Sequence, residues 1–328
     1  MKQKNEKAQA QPEETRIDVK SQVALTIIEA MKQQQTPWQR PWNAASMRPM
    51  NPTTGNAYRG INRLLLGLSG MPDARWLTYQ QAAANGWQVK KGEKGCVIVK
   101  VVELTPEKAK NLPKEEGEEQ SSQKRLILKR YYVFNATQIE GIPPLPAPEG
   151  GQEIGSVERA EGIVAALKDK TGLLVLHQGQ QACYVPSRDQ ILMPRKESFH
   201  STYDYYATLM HECGHSTLHE KRLDRRDALG KRFGDEAYSL EELRAEISSA
   251  ILASETGIAP SPEHIQNHAA YLNSWIKCIQ KDPMVIFSAA KDAQKMADYL
   301  LGLEAQHRLS QRADIREWVR EYEQAPAL

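Results

Sequence analysis

The chain has 328 residues, of which 26% are charged and 40% are hydrophobic, with a formal net charge of +2. It is long enough for two domains. Because it lacks an apolar run of about 18 residues, we expect no transmembrane helix and no membrane partner. The four cysteines are widely scattered, which is typical of a reducing cytoplasm and argues against a disulfide framework. We therefore predict a cytoplasmic protein.

Charge is distributed unevenly along the chain. Residues 15–140 contain 19 Lys and Arg against 11 Asp and Glu, whereas the remainder is net acidic. This asymmetry indicates that the N-terminal half contacts a polyanion, with ordinary surface charge as the alternative. Residues 1–15 are rich in Lys, Gln and Glu and lack the apolar segment of a secretory signal, so we interpret them as a disordered tail.

The N-terminal half, residues 16–140, is predicted to be a small α+β domain. Its expected helices are Ile17–Gln35, Leu64–Leu68 and Thr78–Asn85, the last of them capped by Thr78. Its expected strands are Trp87–Lys90, Cys96–Glu103 and Leu126–Asn135. Residues 105–124 are rich in charged side chains, which indicates a loop.

Aromatic and basic side chains are interleaved in this half, a composition suited to single-stranded DNA. Each base that stacks on an aromatic ring contributes about 1–3 kcal/mol, while Lys and Arg follow the phosphates. Trp38 and Trp42 flank Arg40 on a proline-bounded loop, which makes them the best candidates. The full predicted DNA-binding set is Trp38, Arg40, Trp42, Tyr58, Arg59, Arg63, Lys90, Lys91 and Lys94. The alternative is that the aromatic residues form the core of the domain.

A linker rich in proline and glycine, residues 141–155, is predicted to separate the two halves. The C-terminal domain, residues 156–305, should begin with a helix and three short strands, namely Ser156–Thr171, Leu173–Leu176, Cys183–Val185 and Gln190–Met193. The strand before an H-E-x-x-H helix often forms the sheet edge to which a peptide adds, and Ile191–Pro194 is the candidate because Pro194 suits an edge.

Three helices are predicted to close the chain. They are Ser261–Lys281, Met284–Leu303 and Ile315–Tyr322. The last of them falls within residues 306–328, which we interpret as a C-terminal helix or tail.

The segment His211-Glu212-Cys213-Gly214-His215 matches H-E-x-x-H, the zinc-binding signature of helical metallopeptidases. A helix is predicted at Tyr203–Leu218, after N-cap candidates at residues 200–202. His211 and His215 then share one helix face and can hold one Zn²⁺ at about 2.0–2.1 Å each. Glu212 can reach a metal-bound water as general base. The alternative is an amphipathic helix with surface or core histidines.

A third ligand is expected, because catalytic zinc usually has three protein ligands and one position for water. Lys221 stands where a metzincin has its third histidine, which excludes that subclass. A second helix, Ser239–Ala253, is predicted to start at Ser239 in a capping box with Glu242. We favour Glu246 as the ligand, the gluzincin arrangement, because the small residues after it permit a close approach. Glu242 is the alternative, as a ligand, a cap or an orienting carboxylate. Weaker candidates are His219 and Asp224.

Ordered motifs along residues 15–305 resemble the ArdC antirestriction family. They include Pro37-Trp38-x-x-Pro41-Trp42, Tyr58-Arg59-Gly60-Ile61-Asn62, Val89-x-Lys91-Gly92-Glu93-Lys94-Gly95, the H-E-x-x-H segment and Glu241-Glu242-Leu243-x-Ala245-Glu246. The resemblance implies a plasmid or mobile-element protein with a single-stranded DNA-binding domain before a zincin-like metallopeptidase domain. It also implies protection of incoming DNA from restriction during conjugation. The expected cofactor is Zn²⁺ or another divalent metal such as Mn²⁺.

Other functions remain open at this point. The chain can be an active metallopeptidase whose DNA binding only localises it, with an unidentified protein or peptide substrate. It can also be a pure DNA-binding protein with a structural metal. In the peptidase, Tyr184, Tyr205 or His219 are candidates to stabilise the oxyanion.

Overall fold

The computed structural model describes residues 18–36, 48–104, 125–145, 152–226, 236–258 and 269–324. These residues form a mixture of helices and strands, which confirms the predicted α+β class. Trp38, Arg40 and Trp42 lie outside the described residues, as do residues 1–15, predicted to be a tail, and residues 105–124, predicted to be a loop.

The N-terminal half contains three helices and five strands among its described residues. The helices are α1 (Val19–Lys32), α2 (Ile61–Leu68) and α3 (Tyr79–Ala84). The strands are β1 (Trp76–Leu77), β2 (Gln88–Val89), β3 (Cys96–Leu104), β4 (Arg125–Asn135) and β5 (Ile139–Glu140). Asp18 caps α1 by accepting hydrogen bonds from the backbone of Lys20 and Ser21. Thr78 caps α3 in a capping box with Gln81, so the predicted cap is confirmed.

The main sheet of this half has the order β1-β4-β3, and a smaller sheet pairs β2 with β5. β3 and β4 are antiparallel, from Cys96 opposite Val133 to Leu104 opposite Arg125. On the other side of β3, the Asn62 side chain of α2 donates to the Val99 carbonyl and accepts from its N–H, each at 2.8 Å. Asn62 thereby satisfies backbone groups at a sheet edge and ties α2 to the sheet.

The C-terminal half is built from a small sheet and five helices within its described residues. The strands are β6 (Leu174–His177), β7 (Cys183–Val185) and β8 (Gln190–Met193), in the order β6-β8-β7. The helices are α4 (Gln152–Thr171), α5 (Thr202–Ser216), α6 (Glu236–Thr256), α7 (Ala269–Lys281) and α8 (Met284–Gln324).

The prediction that Gln190–Met193 is a sheet edge was wrong. This strand, β8, is parallel to β6 on one side and antiparallel to β7 on the other, so both of its backbone edges are paired. Pro194 lies just past the end of β8, where its missing N–H does not interrupt the pairing. The edge strands of this sheet are β6 and β7.

Two helix boundaries also differ from the predictions. Ser239, predicted as an N-cap, lies within α6 and is buried, and its carbonyl accepts a 2.6 Å hydrogen bond from the Trp275 indole. The predicted helices Met284–Leu303 and Ile315–Tyr322 are parts of one helix, α8. The intervening residues 304–314 contain neither proline nor glycine, so nothing in the sequence terminates the helix.

One hydrophobic cluster joins the two halves. Ile27 and Met31 of α1 and Leu64 of α2 are buried together with Trp275 and Ile279 of α7. Full burial of side chains of this size contributes about 1.5–3 kcal/mol each. The N-terminal helices are therefore part of the same core as the C-terminal helices. No helix in the described ranges is long and apolar enough to cross a membrane.

Candidate metal centre

Helix α5 carries the H-E-x-x-H segment in its last turns, as predicted. Ser201 caps the helix by accepting a hydrogen bond from the Asp204 backbone N–H at 3.1 Å. His211, Glu212 and Gly214 are buried. A Cβ atom on Gly214 would lie 3.7 Å from the Ala245 Cα of α6, so small residues on both helices permit their close approach. This approach brings the carboxylates of α6 to the histidines.

Two imidazoles and one carboxylate converge between α5 and α6. The Nε2 atoms of His211 and His215 are 3.0 Å apart. The Glu242 carboxylate places Oε2 at 3.5 Å from His211 Nε2 and Oε1 at 3.5 Å from His215 Nε2. Ligands on tetrahedral zinc, at about 2.0–2.1 Å from the ion, are about 3.3 Å from one another. The two Nε2 atoms and the two Glu242 oxygens thus lie at separations close to that value, and one donor from each of the three residues could hold a divalent metal.

Glu246, the ligand favoured from sequence, faces the other nitrogen of a histidine. Its Oε1 lies 3.0 Å from His211 Nδ1. Glu242 and Glu246 are one helical turn apart on α6, so the sequence placed both on one face but could not tell which nitrogen each would meet. In the structure, Glu242 joins the converging donors and Glu246 is positioned to orient the His211 ring.

His215 has a matching carboxylate on its outer nitrogen. Glu241 Oε1 lies 3.5 Å from His215 Nδ1. Arg225 donates to both oxygens of Glu241 at 2.8 and 3.0 Å, and to Thr217 Oγ1 at 2.8 Å. Burial raises the pKa of Glu241, but bonds from His215 and Arg225 outweigh it and lower that pKa overall. Arg225 and Glu241 thus hold the ring of His215 from behind.

The carboxylates raise the basicity of both histidines. Burial lowers the pKa of His215, but hydrogen bonds to Glu241 and Glu242 raise it to about 9. Burial also lowers the pKa of His211, but Glu246 and Glu242 outweigh it and raise that pKa well above its ordinary value. Burial raises the pKa of Glu242, but hydrogen bonds from His211 and His215 lower it by more, so the pKa of Glu242 is lowered overall. A cation is therefore favoured here, and a metal ion must displace protons to bind.

Tyr238 is a neighbour of the cluster that the sequence reasoning missed. Burial, then the charge and hydrogen bond of Glu242, raises the pKa of its hydroxyl. The Tyr238 ring also lies 6.1 Å from the ring of Tyr271 on α7. Tyr238 and Glu242 are four residues apart on α6, and this spacing could have indicated their contact.

Two of the predicted oxyanion residues are engaged elsewhere. The Tyr184 hydroxyl donates to Asp189 at 3.0 Å and accepts from Arg222 at 3.2 Å. The Tyr205 hydroxyl is 2.8 Å from His177 Nε2. For the third, His219, Nδ1 accepts a hydrogen bond from the Lys221 backbone at 3.2 Å.

The residues predicted to bind DNA are divided between surface and core. Lys90, Lys91 and Lys94 are exposed around the turn between β2 and β3. Arg59 is exposed and pairs with Asp298 of α8. Tyr58 is half-buried, and its hydroxyl donates to the Trp76 carbonyl at 3.3 Å.

The assignment of Arg63 to the DNA-binding surface is not consistent with the structure. Arg63 is buried and donates to Glu255 at 2.6 Å and to Ser254 at 2.8 Å. Trp76 is likewise fully buried, and Trp87 packs against the cluster that contains Leu77. Among the described residues of this half, the exposed aromatic side chains are Tyr79, Tyr131 and Tyr132, which the sequence pattern did not single out.

Two family matches cover the two halves. Residues 17–134 match the N-terminal domain of anti-restriction factor ArdC, and residues 159–292 match the zincin-like metallopeptidase family. The fold and the donor cluster thus define a zincin-like domain that follows an ArdC-type N-terminal domain. An uncharacterized protein of Sinorhizobium fredii, y4eC, is 34% identical over 310 residues, which are 92% of this chain and 97% of that protein.

Two solved structures are similar over most of the chain. The metal-free crystal structure of the antirestriction protein ArdC from plasmid R388 has a TM-score of 0.68 and 36% identity, covering 88% of this chain and 99% of that one. The Mn(II)-bound structure of the same protein has a TM-score of 0.65 and 34% identity, with the same coverage. The chain belongs to the ArdC antirestriction family.

DNA primases named TraC from Escherichia coli are also similar. One is 44% identical over 296 residues, which are 86% of this chain. The chain spans only 27% and 20% of the length of the two TraC relatives.

Proposed function

We propose that the C-terminal half is a metal-dependent peptidase, and that the N-terminal half binds single-stranded DNA. The observation that carries the peptidase proposal is the convergence of His211, His215 and Glu242 beside Glu212. In this proposal the protein is encoded by a plasmid or mobile element, acts in the cytoplasm, and protects incoming DNA during conjugation. The relatives named for antirestriction support that role.

The proposed ligands are His211, His215 and Glu242, with Glu246 as the alternative to Glu242. The ion is Zn²⁺, as the family match suggests, or Mn²⁺, which the solved relative binds. When bound, it supplies a Lewis acid and makes water more acidic. Glu212, buried and adjacent in sequence to His211, accepts the proton of the attacking water and passes it to the leaving amine. Glu246, Glu241 and Arg225 orient the two imidazole rings.

The proposed peptide-binding strand is β7. It is an edge of the sheet, it packs against α5, and its residues are exposed or half-exposed. A substrate that pairs with it by strand addition would lie next to the helix that carries Glu212.

Replacement of the general base tests the peptidase. We expect Glu212→Ala to retain metal and DNA binding but to reduce cleavage of a quenched-fluorescence peptide library by about 10²–10⁴-fold. Glu220→Ala, an exposed glutamate on the following turn, is the matched control. Equal cleavage by wild type and Glu212→Ala would exclude this role for Glu212.

The DNA-binding proposal rests on the ArdC-type N-terminal match and on exposed lysines and tyrosines in residues 16–140. We propose that residues 16–140 form one functional unit and that residues 141–155 link it to residues 156–305. The first helix of the C-terminal half, α4, begins at Gln152 within this linker, and residues 306–324 are the last part of α8. The double variant Trp38→Ala with Arg59→Ala is expected to weaken oligonucleotide binding at moderate salt. Unchanged affinity would place the DNA site elsewhere.

A second candidate function is a pure DNA-binding protein with a structural metal. The dense carboxylate layer around the histidines favours this alternative, because it stabilises a cation without requiring a substrate. Glu212→Ala would then leave antirestriction in a conjugation assay unchanged. In a third arrangement, DNA binding only localises the peptidase, and both Glu212→Ala and the DNA variant would reduce protection.

A further inference from the structure

A groove of about 560 Å³ lies on the N-terminal half, between α3 and the small sheet of β2 and β5. Its lining includes Tyr79, Gln88, Lys90, Lys91, Phe134 and Glu140. Only Lys90 and Lys91 among them belong to the DNA-binding set predicted from sequence. The groove therefore brings together side chains that the linear order separates by more than 50 positions.

Two aromatic rings, Tyr79 and Phe134, line this groove, and a third, Tyr132, lies outside the lining on the strand that carries Phe134. Tyr79 is 53% exposed, and Phe134 is partly buried against the cluster of Leu77 and Val89. Tyr132 is also 53% exposed and lies on the same face of β4 as Phe134, because side chains two apart on a strand share a face. This surface thus has two exposed aromatic rings, Tyr79 and Tyr132, and one partly buried ring, Phe134.

Gly95 permits the basic turn to approach these rings. A Cβ atom at this position would lie 3.1 Å from Tyr132 Cβ and 3.2 Å from Phe134 Cζ, closer than ordinary contacts. Any larger residue would push the chain away from β4. Lys94 precedes Gly95 in the chain, and its carbonyl accepts a 3.1 Å hydrogen bond from Gln138.

The other two lysines are positioned by a tight turn. The Glu93 N–H donates to the Lys90 carbonyl at 3.3 Å, and Gly92 has a φ of +87°, the geometry of a type II turn. The Lys90 ammonium donates to the Thr137 carbonyl at 2.8 Å, and Lys91 is exposed. Two glutamates lie among these lysines. Glu93, which also lines the groove, accepts a 2.8 Å hydrogen bond from Gln138, and Glu140 is exposed. The groove lining thus holds two lysines and two glutamates, and the neighbouring Lys94 makes the local charge positive by one.

We propose that this groove binds one nucleotide of single-stranded DNA, whose base stacks on Tyr79. The base of the next nucleotide stacks on Tyr132, outside the groove lining. Lys90, Lys91 and Lys94 contact the phosphates. A single strand is the occupant because open ring faces stack on bases only when those bases are unpaired. This inference rests on the proposed DNA binding by the N-terminal half and names its site.

The experiment measures binding of the full-length protein to a fluorescent oligothymidine of about 20 nucleotides, longer than the roughly 4–16 nucleotides that one single-strand-binding fold covers. Tyr79→Ala is expected to weaken the affinity by about fivefold to a hundredfold, since one stacked base is lost. Tyr79→Phe keeps the ring and should keep the affinity. Tyr131→Ala is the matched control, because Tyr131 is exposed on the opposite face of β4.

The lysines are tested through salt dependence. Lys90→Ala with Lys91→Ala should reduce the slope of log affinity against log salt by about 1.4, the loss of two single-strand phosphate contacts. Lys100→Ala with Lys129→Ala removes the same charge from the opposite face, where these two exposed lysines are directly paired, and should leave the slope unchanged.

The outcomes distinguish a failure of the proposed groove from a failure of the proposed DNA binding. If Tyr79→Ala binds like wild type, or Tyr131→Ala loses as much affinity, the groove is not the site, although DNA binding by the protein stands. If wild type binds no single strand, the proposed DNA function fails as well. Tyr79 is the exposed first residue of α3, and equal melting temperatures of the variants would exclude misfolding as the cause.

Discussion

The candidate metal cluster of His211, His215 and Glu242 and the proposed nucleotide groove are built in opposite ways. The cluster consists of buried and partly buried side chains from two packed helices, with donors 3.0–3.5 Å apart and a second layer of carboxylates. The groove consists largely of exposed side chains from one short helix, several strands and a turn. A buried cluster needs compensated charges and rigid rings, whereas an open groove needs accessible ring faces.

The two sites also differ in how they depend on the shared core. α5 and α6 contribute buried residues to this core, so the cluster lies directly on it. The groove is supported by the small cluster around Leu77, Ala82, Val89 and Ile139. The two sites are therefore supported by different hydrophobic clusters, although α1 and α2 of the N-terminal half belong to the main core.

The continuity of the two halves is tested most strongly at Arg63. We expect Arg63→Ala to lower the free energy of unfolding by about 1.5–3 kcal/mol, because its hydrogen bonds to Glu255 and Ser254 are lost while Glu255 keeps Arg48 at 3.2 Å. Arg59→Ala, which removes an exposed pair with Asp298, should cost about 0–1 kcal/mol. Denaturant unfolding measures both. Equal, small losses would mean that the halves are held together by other contacts.

The identity of the third ligand is tested by comparing two glutamates of α6. Glu242→Ala should weaken Zn²⁺ binding by more than about 100-fold, whereas Glu246→Ala, which only frees the His211 ring, should weaken it by about 10–100-fold. Competition with a chromogenic chelator measures the affinities. The reverse order would restore Glu246 as the ligand.

The support of His215 is tested at the arginine that holds Glu241. Arg225→Ala is expected to weaken metal binding by about 10–100-fold, because Glu241 loses both of its hydrogen bonds from the guanidinium. Arg226→Ala is the control, since the neighbouring arginine is exposed and pairs with Asp224 and Glu220. Similar losses in both variants would indicate a general effect on the loop.

The pKa values predict how metal binding varies with pH. His215 is protonated in the metal-free protein below about pH 9, so binding must release its proton. Affinity should therefore rise by up to about tenfold per pH unit between about pH 6.5 and 9 for this group. Calorimetry in buffers of different ionisation enthalpy measures the released protons. Binding without proton release at pH 7 would contradict this assignment.

The raised pKa of His215 also makes the stability of the metal-free protein depend on pH, and here stability falls as the pH rises. The folded-state pKa of His215 is raised, so its contribution is complete below about pH 6.5 and is lost as the pH rises through about 9. Thermal unfolding with a chelator present should thus show declining stability across this range, and His215→Gln should flatten the decline.

The smallest expected effect is that of a substitution at one site on binding at the other. Tyr79→Ala should leave metal affinity unchanged, and Glu212→Ala should leave oligonucleotide affinity unchanged, because separate residues form the two sites. A change in either cross-measurement of more than about threefold, or roughly 0.7 kcal/mol, would reveal coupling through the shared core.

The sequence determined much of the fold because local signals and packing agree there. The periodicity of α5, its Ser201 cap and the i,i+4 histidines predicted both the helix and the ligand face. The aromatic residues were harder to assign, because a tryptophan in a basic segment serves a core as well as a surface. Trp76 is in the core, and Tyr79, three residues later, is exposed.

The sequence by itself therefore determined that two histidines and a carboxylate of a second helix would meet, and that a basic, aromatic half would precede them. Only the tertiary structure decided that Glu242 faces the Nε2 atoms, that β8 is central, and that Arg63 is buried. The physical reason is that helix and strand periods specify which face a residue occupies. The crossing of helices and the order of strands specify what that face meets.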